Sequence, residues 1–535
     1  MKNKSKYKIK ATLITSIRVA FLVVLSIHSY SQKINDSLLS STSKNTINIL
    51  GADSFEGVEG NFNVIKFVGN ARFTLDGMFL RCDVGYLETK LQNLQANGNI
   101  EIKKGGSEVL YGDSLTYDGI TKIAIVRGNV RLVKKDLTLT TSYLVYNMKT
   151  NIAYYSNGGT VVNKESTLTS TKGYYNSVSQ KISFKKNVVL VNPKYTMKSD
   201  TLDYNELTEI AYFSGNTYIN GEGSLIFCKS GYFDTKRDIA EFNKDAYLIS
   251  DGSKIEGQKL YYDRNRGYSR AVKNVIVTDT ANKVIINGDY AIRNEKKNFS
   301  IVTGNALVSK WFDDNDTLFL SADTIKVEQD PITKMNSMYS YPSVRFYRQD
   351  IQGVCDSMVY LQSDSILQLF NDPIIWSDNS QMSGDSIYIQ LANNKIDELK
   401  FRRNSFIIES VSFYDSISKS KILTKQYDQI KGKNITGYFA DDSIRKVIVT
   451  GNGQSIFFTG EEGERKQGMN RIDCSDIEIR FEKNKVDDIL FINQPNGKLI
   501  PIQDLKSEEE KLKDFKWKIE LKPLSKNDLL RKKIN

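Results

Sequence analysis

Histidine is almost missing from this sequence. The 535 residues contain a single histidine, His28, with seven prolines, four cysteines and three tryptophans. His28 lies in an N-terminal segment that we expect to be removed, so the mature chain would lack the side chain on which Ser-His-Asp and Cys-His mechanisms and most zinc or iron sites depend. Most common forms of catalysis are thereby excluded. We predict a protein that is not an enzyme and has no catalytic residues, no metal and no cofactor.

The mature chain also lacks a large excess of either charge. Six of the 74 Lys and Arg residues lie in residues 1–31, which contain no acids, so the remaining 68 exceed the 63 Asp and Glu residues by five. Nucleic-acid proteins carry their basic residues on one clustered face. Because the excess of basic residues here is small and dispersed, we predict no nucleic-acid partner.

Long apolar runs are absent as well, and the longest uninterrupted run near the N-terminus is short. A basic stretch, Met1–Lys10, precedes the apolar run Val19–Leu25 and the small-x-small ending Ser29–Ser31. This order is typical of a cleaved secretory signal. The alternative is an uncleaved anchor, but Arg18 leaves the run far below the ~18–20 residues that span a bilayer. We therefore predict a signal peptide over 1–31 and a flexible, polar lead-in over 32–46.

A repeat of 29 residues organises the rest of the chain. An aromatic residue followed by Asp or Asn recurs at this spacing, and a Gly/Lys-Asn/Asp pair follows eleven residues later in most copies. Self-similarity at a fixed period is the signature of a repeat architecture. The aromatic positions are Tyr117, Tyr146, Tyr175, Tyr204, Phe233 and Tyr262, and the pairs include Gly128-Asn129, Lys186-Asn187, Gly215-Asn216, Lys244-Asp245 and Lys273-Asn274.

Each unit predicts two β-strands joined by a turn, because apolar residues alternate and β-branched and aromatic types are frequent. The fold class is therefore all-β, an elongated stack of about a dozen ~29-residue units over 47–504, each expected to add one strand to each of two sheets. Side chains two apart share a face of a strand, which assigns thirteen candidates to the interior: Leu115, Tyr117, Val130, Leu132, Leu144, Tyr146, Val188, Leu190, Leu202, Tyr204, Ile219, Leu260 and Tyr262.

The cysteines and a recurring aspartate occupy fixed places in the repeat. Cys82, Cys228, Cys355 and Cys474 fill a slot taken elsewhere by glycine, three or more repeats apart. That separation is too large for a disulfide, so we predict free, buried thiols. The aspartates that follow the slot could suggest a calcium array, but other copies replace them, and we favour a structural role at turns or strand edges. They are Asp83, Asp113, Asp200, Asp323, Asp356 and Asp385.

The last segment, residues 505–535, is rich in charge. Charge runs usually mark solvated surface or interaction tails. We expect a solvated C-terminal tail and keep a docking segment as the alternative.

Behind the predicted signal peptide, the chain contains the motifs Gly128-Asn129-Val130 and Leu110-x-Gly112-Asp113-x-Leu115-x-Tyr117. Together these motifs resemble those of the OstA-like (organic-solvent-tolerance) family. This is the family of the periplasmic lipopolysaccharide bridge LptA and the N-terminal domain of the translocon LptD. The resemblance implies a β-jellyroll of two facing antiparallel sheets in a Gram-negative periplasm, or associated with the outer membrane. It further implies that the thirteen interior candidates face the acyl chains of lipid A, although a core filled by side chains is an equal alternative.

Family membership also implies open sheet edges that pair with Lpt-type proteins of the inner and outer membrane. We place these docking edges at Ile47, Ile49 and Leu50 near the start and at Ile489 and Phe491 near the end. Head-to-tail self-association is a further option. Two other functions stay open: a structural or adhesive exported β-repeat protein without lipid cargo, and a β-helix enzyme acting on polysaccharide, which we rank below it because no copy carries a distinctive acid cluster.

Overall fold

The computed structural model describes residues 47–530 except 105–107, 135–136, 163–165, 194, 222, 251–252, 264, 281, 313–315, 394, 416–418, 441–442, 461–465 and 483–484. The chain divides into two compact units, Met1–Ser269 and Arg270–Asn535. The predicted signal peptide 1–31 and lead-in 32–46 lie outside the described residues.

Unit 1 is built of antiparallel strands that follow one another along the chain. They are β1 (Asn48–Gly51), β2 (Ser54–Val58), β3 (Asn61–Leu75), β4 (Met78–Glu88), β5 (Asn93–Lys104), β6 (Glu108–Asp118), β7 (Ile123–Lys134), β8 (Leu137–Asn147), β9 (Ile152–Tyr155), β10 (Gly159–Val162), β11 (Thr167–Ser170), β12 (Lys172–Asn176), β13 (Lys181–Asn192), β14 (Tyr195–Asn205), β15 (Ile210–Gly221), β16 (Ser224–Asp234), β17 (Ile239–Ser250), β18 (Ser253–Asp263) and β19 (Tyr268–Asp279), which begins at the end of this unit.

Unit 2 continues the same construction and ends in short helical turns. Its strands are β20 (Val284–Asn294), β21 (Phe299–Trp311), β22 (Thr317–Gln329), β23 (Asn336–Tyr341), β24 (Val344–Tyr347), β25 (Gln352–Cys355), β26 (Ser357–Leu361), β27 (Ile366–Phe370), β28 (Ile374–Ser377), β29 (Ser380–Ser383), β30 (Ser386–Ala392), β31 (Lys395–Asp415), β32 (Ser420–Ala440), β33 (Ser443–Thr459), β34 (Gly468–Glu482), β35 (Lys485–Ile492) and β36 (Asn496–Pro501). Two 3₁₀ turns, Ile502–Asp504 and Ile519–Leu521, and helix α1 (Lys526–Leu529) follow.

Hairpins of two strands are the repeating element, which confirms the all-β, antiparallel, repeat-built prediction. β6 pairs with β7, so that Leu115 lies opposite Val126 and Leu110 opposite Leu132. The turn between them begins at Asp118, whose Oδ1 accepts hydrogen bonds from the backbone N–H groups of Ile120 and Thr121 at 2.9 and 2.8 Å. The Asx residue therefore closes the hairpin as predicted.

Each long strand bends where the Gly-Asn pair interrupts its register. Gly128 and Asn129 adopt left-handed φ values of 74° and 45°, and the β6–β7 pairing resumes after them, which defines a β-bulge. In β3 the rings of Phe67 and Phe73 lie 5.2 Å apart, whereas residues six apart on a straight strand would be separated by ~20 Å. The strand therefore folds back so that its two halves face each other.

We call these halves arm A and arm B. In the β6–β7 hairpin, arm A contains Ser114–Asp118 and Ile123–Arg127, and arm B contains Glu108–Tyr111 and Val130–Lys134. Because both strands of a hairpin run through both arms, each 29-residue unit adds two strands to each arm. The expectation of one strand per sheet was wrong, because each strand continues through the Gly-Asn bulge and so crosses both arms.

The interior between the arms holds the core of each unit. In unit 1, Phe67 of arm A and Phe73 of arm B belong to one cluster with the fully buried Leu80, Leu94 and Leu115. Burying one such side chain stabilises a fold by about 1.5–3 kcal/mol. Unit 2 has its own cluster, which includes Leu369, Ile387 and Val449.

The recurring aspartate joins neighbouring strands at the bulge. Asp113 accepts a hydrogen bond from Asn129 Nδ2 at 2.9 Å, and the equivalent pairs Asp83–Asn99, Asp289–Asn305 and Asp385–Asn404 have distances of 2.8, 3.0 and 3.0 Å. Where Lys229 replaces the aspartate, its Nζ pairs with Asp245 at 2.6 Å. The predicted structural role of the aspartate is thereby confirmed.

All four cysteines are free, as predicted. Cys82, Cys228 and Cys355 are buried, and Cys474 is half-buried. Burial raises the pKa of the Cys82, Cys228 and Cys355 thiols to about 12. These thiols therefore act as small apolar side chains.

The charged C-terminal segment packs on unit 2, so the prediction of a solvated tail is wrong for residues 505–530. Leu512 and Leu529 are buried, with exposed fractions of 2% and 4%. Gln429 holds the segment through two bonds: its Oε1 accepts from Leu512 N at 2.9 Å, and its Nε2 donates to the Glu510 carbonyl at 2.7 Å. In the same way, Gln381 accepts a hydrogen bond from the Lys518 N–H and donates one to the Lys516 carbonyl. Apolar side chains spaced among the charges make this segment part of the fold.

Candidate functional site

A cavity of about 400 Å³ lies between the arms of unit 1. It forms where β9, β10, β11 and β12 replace two continuous strands, with Ser156–Gly158 separating β9 from β10. Arm A lines it with Ala124, Val126, Leu144, Tyr146, Ala153, Tyr155, Gly173, Tyr175, Ile182 and Phe184, and arm B with Leu75, Met78, Ile102, Leu110, Leu132, Leu137, Leu139 and Val161. The volume and apolar lining are typical of ligand-binding cavities, which range from about 300 to 1,000 Å³.

Two glycines make room for the Tyr155 ring at the wall of this cavity. A Cβ atom on Gly159 or Gly173 would lie 2.5 or 2.3 Å from that ring. The Tyr155 hydroxyl is hydrogen-bonded to Ser170 Oγ at 2.7 Å. The ring therefore has a fixed position beside the strand break, and a larger residue at either glycine would displace it.

Polar groups gather at one end of the cavity. Glu108 and Lys134 of arm B form an ion pair, and Tyr175 and Glu206 contribute from arm A. Both carboxyl oxygens of Glu206 are shielded from solvent and have no hydrogen-bond partner among the described residues. The cavity thus has a hydrocarbon body and a polar end.

Burial controls the ionisation of this polar end. Removal from solvent raises the pKa of Glu206 to about 7, with Lys134 opposing the shift and Glu108 adding to it. Burial also raises the pKa of Tyr175 to about 12, with the negative charges of Glu206 and Glu108 contributing. Near neutral pH the Glu206 carboxyl therefore exchanges between its protonated and ionised forms.

The thirteen interior candidates fall into three groups. Leu132, Leu144 and Tyr146 line the cavity. Tyr262 is half-buried. The others are packed in buried positions: Leu115, Tyr117, Val130, Val188, Leu190, Leu202, Tyr204, Ile219 and Leu260. Contact of any of them with a lipid stays a prediction.

Several cavity residues were missed by the sequence reasoning. Leu110 and Leu139 are 29 residues apart and occupy the same place in successive hairpins. Their period could have identified them, because Leu168, Met197 and Ile226 continue the series and are buried. Glu206, in contrast, belongs to no series, and the strand break that opens the cavity has no evident sequence signal.

The candidate docking edges lie on terminal strands of their units, except for Ile47, which directly precedes β1. Among the described strands, β1 and β2 pair only with β3, and β35 and β36 pair only with β34. Ile49 and Leu50 are exposed, with fractions of 48% and 51%, whereas Ile47 is buried. Ile489 and Phe491 are half-buried and pack against the core of unit 2.

Two kinds of feature are missing from the part of the chain that the structure describes. Across those residues, no group of three or more His, Cys, Asp or Glu side chains is placed to hold a metal ion. Their helices are too short or too polar to cross a membrane.

Comparisons with known proteins match both halves of the chain. Residues 44–200 match the family described as OstA-like protein, and residues 285–395 match the family described as LptA/(LptD N-terminal domain) LPS transport protein. No curated protein sequence matches the chain. A similar solved structure is LptH from Pseudomonas aeruginosa, described as the LptA-homologous periplasmic component of a lipopolysaccharide transport device; the alignment has 13% identity and a TM-score of 0.19 and covers 22% of this chain and 83% of LptH.

Proposed function

This chain is an OstA-like protein of the LptA and LptD N-terminal type, and on that premise we propose that it is a periplasmic bridge protein for lipopolysaccharide. Its role would be to bind lipopolysaccharide and shield the acyl chains while the lipid moves towards the outer membrane. The signal peptide predicted over 1–31 is consistent with export to that compartment.

The observation that carries this proposal is the apolar cavity between the arms of unit 1. Exposing hydrocarbon to water costs about 25 cal/mol per Å², so a carrier of acyl chains must cover them with apolar surface. Leu110, Leu132 and Leu139 from arm B and Leu144 and Phe184 from arm A supply such a surface. Most of the other interior candidates are packed in the core, so we assign cargo contact first to the cavity.

The terminal strands support a second part of the proposal. Unpaired backbone groups along an edge strand can accept a further strand from another protein. We propose that the β1–β2 edge pairs with a transport protein on the inner-membrane side and the β35–β36 edge with one on the outer-membrane side. Head-to-tail pairing of two copies would use the same two edges.

Site-specific photo-crosslinking tests cargo binding in cells. A photoreactive residue replaces Leu139, which lines the cavity, and in a matched variant it replaces the adjacent Thr140, which is exposed on the other face of β8. We expect a lipopolysaccharide adduct with Leu139 and none with Thr140. Exported, folded protein that yields no adduct at either position would contradict the proposal and favour a structural or adhesive repeat protein.

A further inference from the structure

The polar end of the cavity contains a carboxyl group whose hydrogen-bonding capacity is unused. Glu206 lies in the turn after β14, and both of its oxygens are shielded from solvent without a described donor. A buried acceptor that lacks a donor destabilises the fold. A bound molecule that supplies the donor would remove that penalty.

The surrounding charges restrict which donor fits. Lys134 is paired with Glu108, and both act electrostatically on Glu206. An anionic head group would be repelled by two carboxyl groups. A cationic head group would lose its hydration in the cavity and meet the Lys134 ammonium, and its attraction to Glu206 would disappear whenever burial keeps that carboxyl group protonated. A neutral hydroxyl or amide N–H avoids these costs and can bond with Glu206 in either protonation state.

The position of Glu206 relative to the apolar lining restricts the rest of the ligand. Leucine and aromatic side chains from both arms form the body of the cavity, and Glu206 lies with the polar groups at its end. A hydrocarbon chain in the body would therefore bring the atoms at its polar end to the carboxyl group. A molecule that is apolar throughout would leave Glu206 unsatisfied.

We propose that Glu206 selects cargo whose hydrocarbon chain carries a neutral hydrogen-bond donor, a hydroxyl or an amide N–H, next to its polar end. The inference rests on the proposed function, because it assigns a selectivity to the same lipid-binding cavity. Glu206 acts here as a specificity-determining residue, and the loss of hydration in the apolar cavity disfavours charged alternatives.

Chain-matched probes test this selectivity on the full-length protein. Dodecanol and dodecyl methyl ether have the same chain and an oxygen in the same place, but the ether has no donor. A hydrogen bond to an ionisable group predicts that dodecanol binds about tenfold more tightly than the ether, as measured by displacement of a fluorescent fatty probe. In Glu206→Leu the preference should disappear, while ether binding is retained.

The controls separate this inference from the proposed function. Glu256→Leu removes a carboxylate that pairs with Lys254 at 2.7 Å on the outer face of β18 and should keep the preference. Equal binding of alcohol and ether to the wild type, or a preference that survives Glu206→Leu, would overturn the selectivity and leave lipid binding intact. Tightest binding of dodecylammonium would overturn the neutral-donor assignment. Failure of all three probes to bind would overturn both proposals.

Discussion

Asn129 donates a hydrogen bond from Nδ2 to the Asp113 carboxylate at 2.9 Å, and so ties the bulge of β7 to the neighbouring strand β6. Gly128 precedes it with a φ of 74°, a conformation that glycine adopts readily. The pair recurs with a separation of 16 residues at Asp83–Asn99. This contact holds the bend that turns one strand into two facing arms, and the cavity exists because the arms face each other.

Replacing Gly128 with alanine should disturb this bend for two reasons. The left-handed conformation costs an alanine about 1–2 kcal/mol, and its Cβ would lie 2.2 Å from Asp113 Oδ2. Gly60 has a similar φ of 79° with open space around its Cβ position. We expect Gly128→Ala to lower the free energy of unfolding by at least about 1 kcal/mol more than Gly60→Ala in urea titrations.

The double variant Asp113→Gly with Gly128→Ala removes the atoms that clash. It should recover part of the stability lost in Gly128→Ala. Equal losses for Gly60→Ala and Gly128→Ala would show that the contact with Asp113 does not fix the bend.

The C-terminal segment should contribute to the stability of unit 2. Gln429→Ala would leave the Leu512 N–H and the Glu510 carbonyl without their partner, and each buried unsatisfied group costs about 1–3 kcal/mol. We expect a loss of at least about 1 kcal/mol in the free energy of unfolding and faster proteolysis near residue 512. Gln95→Ala, at an exposed strand position, is the matched control. A stable Gln429→Ala protein with an intact segment would show that the glutamine bonds are dispensable.

The cysteines should differ in reactivity. Burial raises the pKa of Cys82, Cys228 and Cys355 to about 12, and Cys474 is half-buried. Since the thiolate is the reactive form, a thiol reagent at pH 8 should modify Cys474 first and the other three only after unfolding. Rapid modification of all four in the folded protein, or a disulfide in its mass spectrum, would contradict the buried-thiol assignment.

Glu206 should make unit 1 less stable as the pH rises. Burial raises its pKa from the ordinary 4.5 to about 7, so the folded chain holds the proton more tightly than the unfolded chain. Its stabilising contribution is complete below about pH 4.5 and is lost as the pH rises to about 7. The difference in melting temperature between Glu206→Gln and the wild type should therefore shift in favour of Glu206→Gln as the pH rises from 5 to 8. Glu256→Gln should show no such gain, and parallel curves for Glu206→Gln and the wild type would refute the assignment.

The regular part of the fold could be predicted because it repeats. The Tyr117–Asp118 pair and its copies predict where each hairpin turns, and the alternation of Leu115 and Tyr117 predicts which face of the strand is buried. The bend could not be predicted, because Gly128-Asn129 is equally compatible with a turn between strands. Only the pairing register shows that the strand continues through it.

The cavity, the burial of Glu206 and the packing of the C-terminal segment could not be predicted from the repeat, for physical reasons. The cavity depends on the break between Tyr155 and Gly159, which departs from the repeat. Glu206 is buried by residues distant in the sequence, and a carboxyl group in a turn normally lies in solvent. The packing of the C-terminal segment could not be predicted, because its buried residues Leu512 and Leu529 lie among many charged residues. Their spacing is too irregular to indicate a helix or strand.

The lipid content of the exported protein shows whether the cavity of unit 1 holds lipopolysaccharide. Wild-type protein purified from the periplasm, Ala153→Trp, which fills the cavity, and Thr140→Trp, on the outer face of β8, would be compared by mass spectrometry of bound lipid. We expect lipopolysaccharide with the wild type and with Thr140→Trp, and a severalfold loss with a folded Ala153→Trp protein. Equal lipid in all three proteins, or none in the wild type, would contradict cargo binding in this cavity.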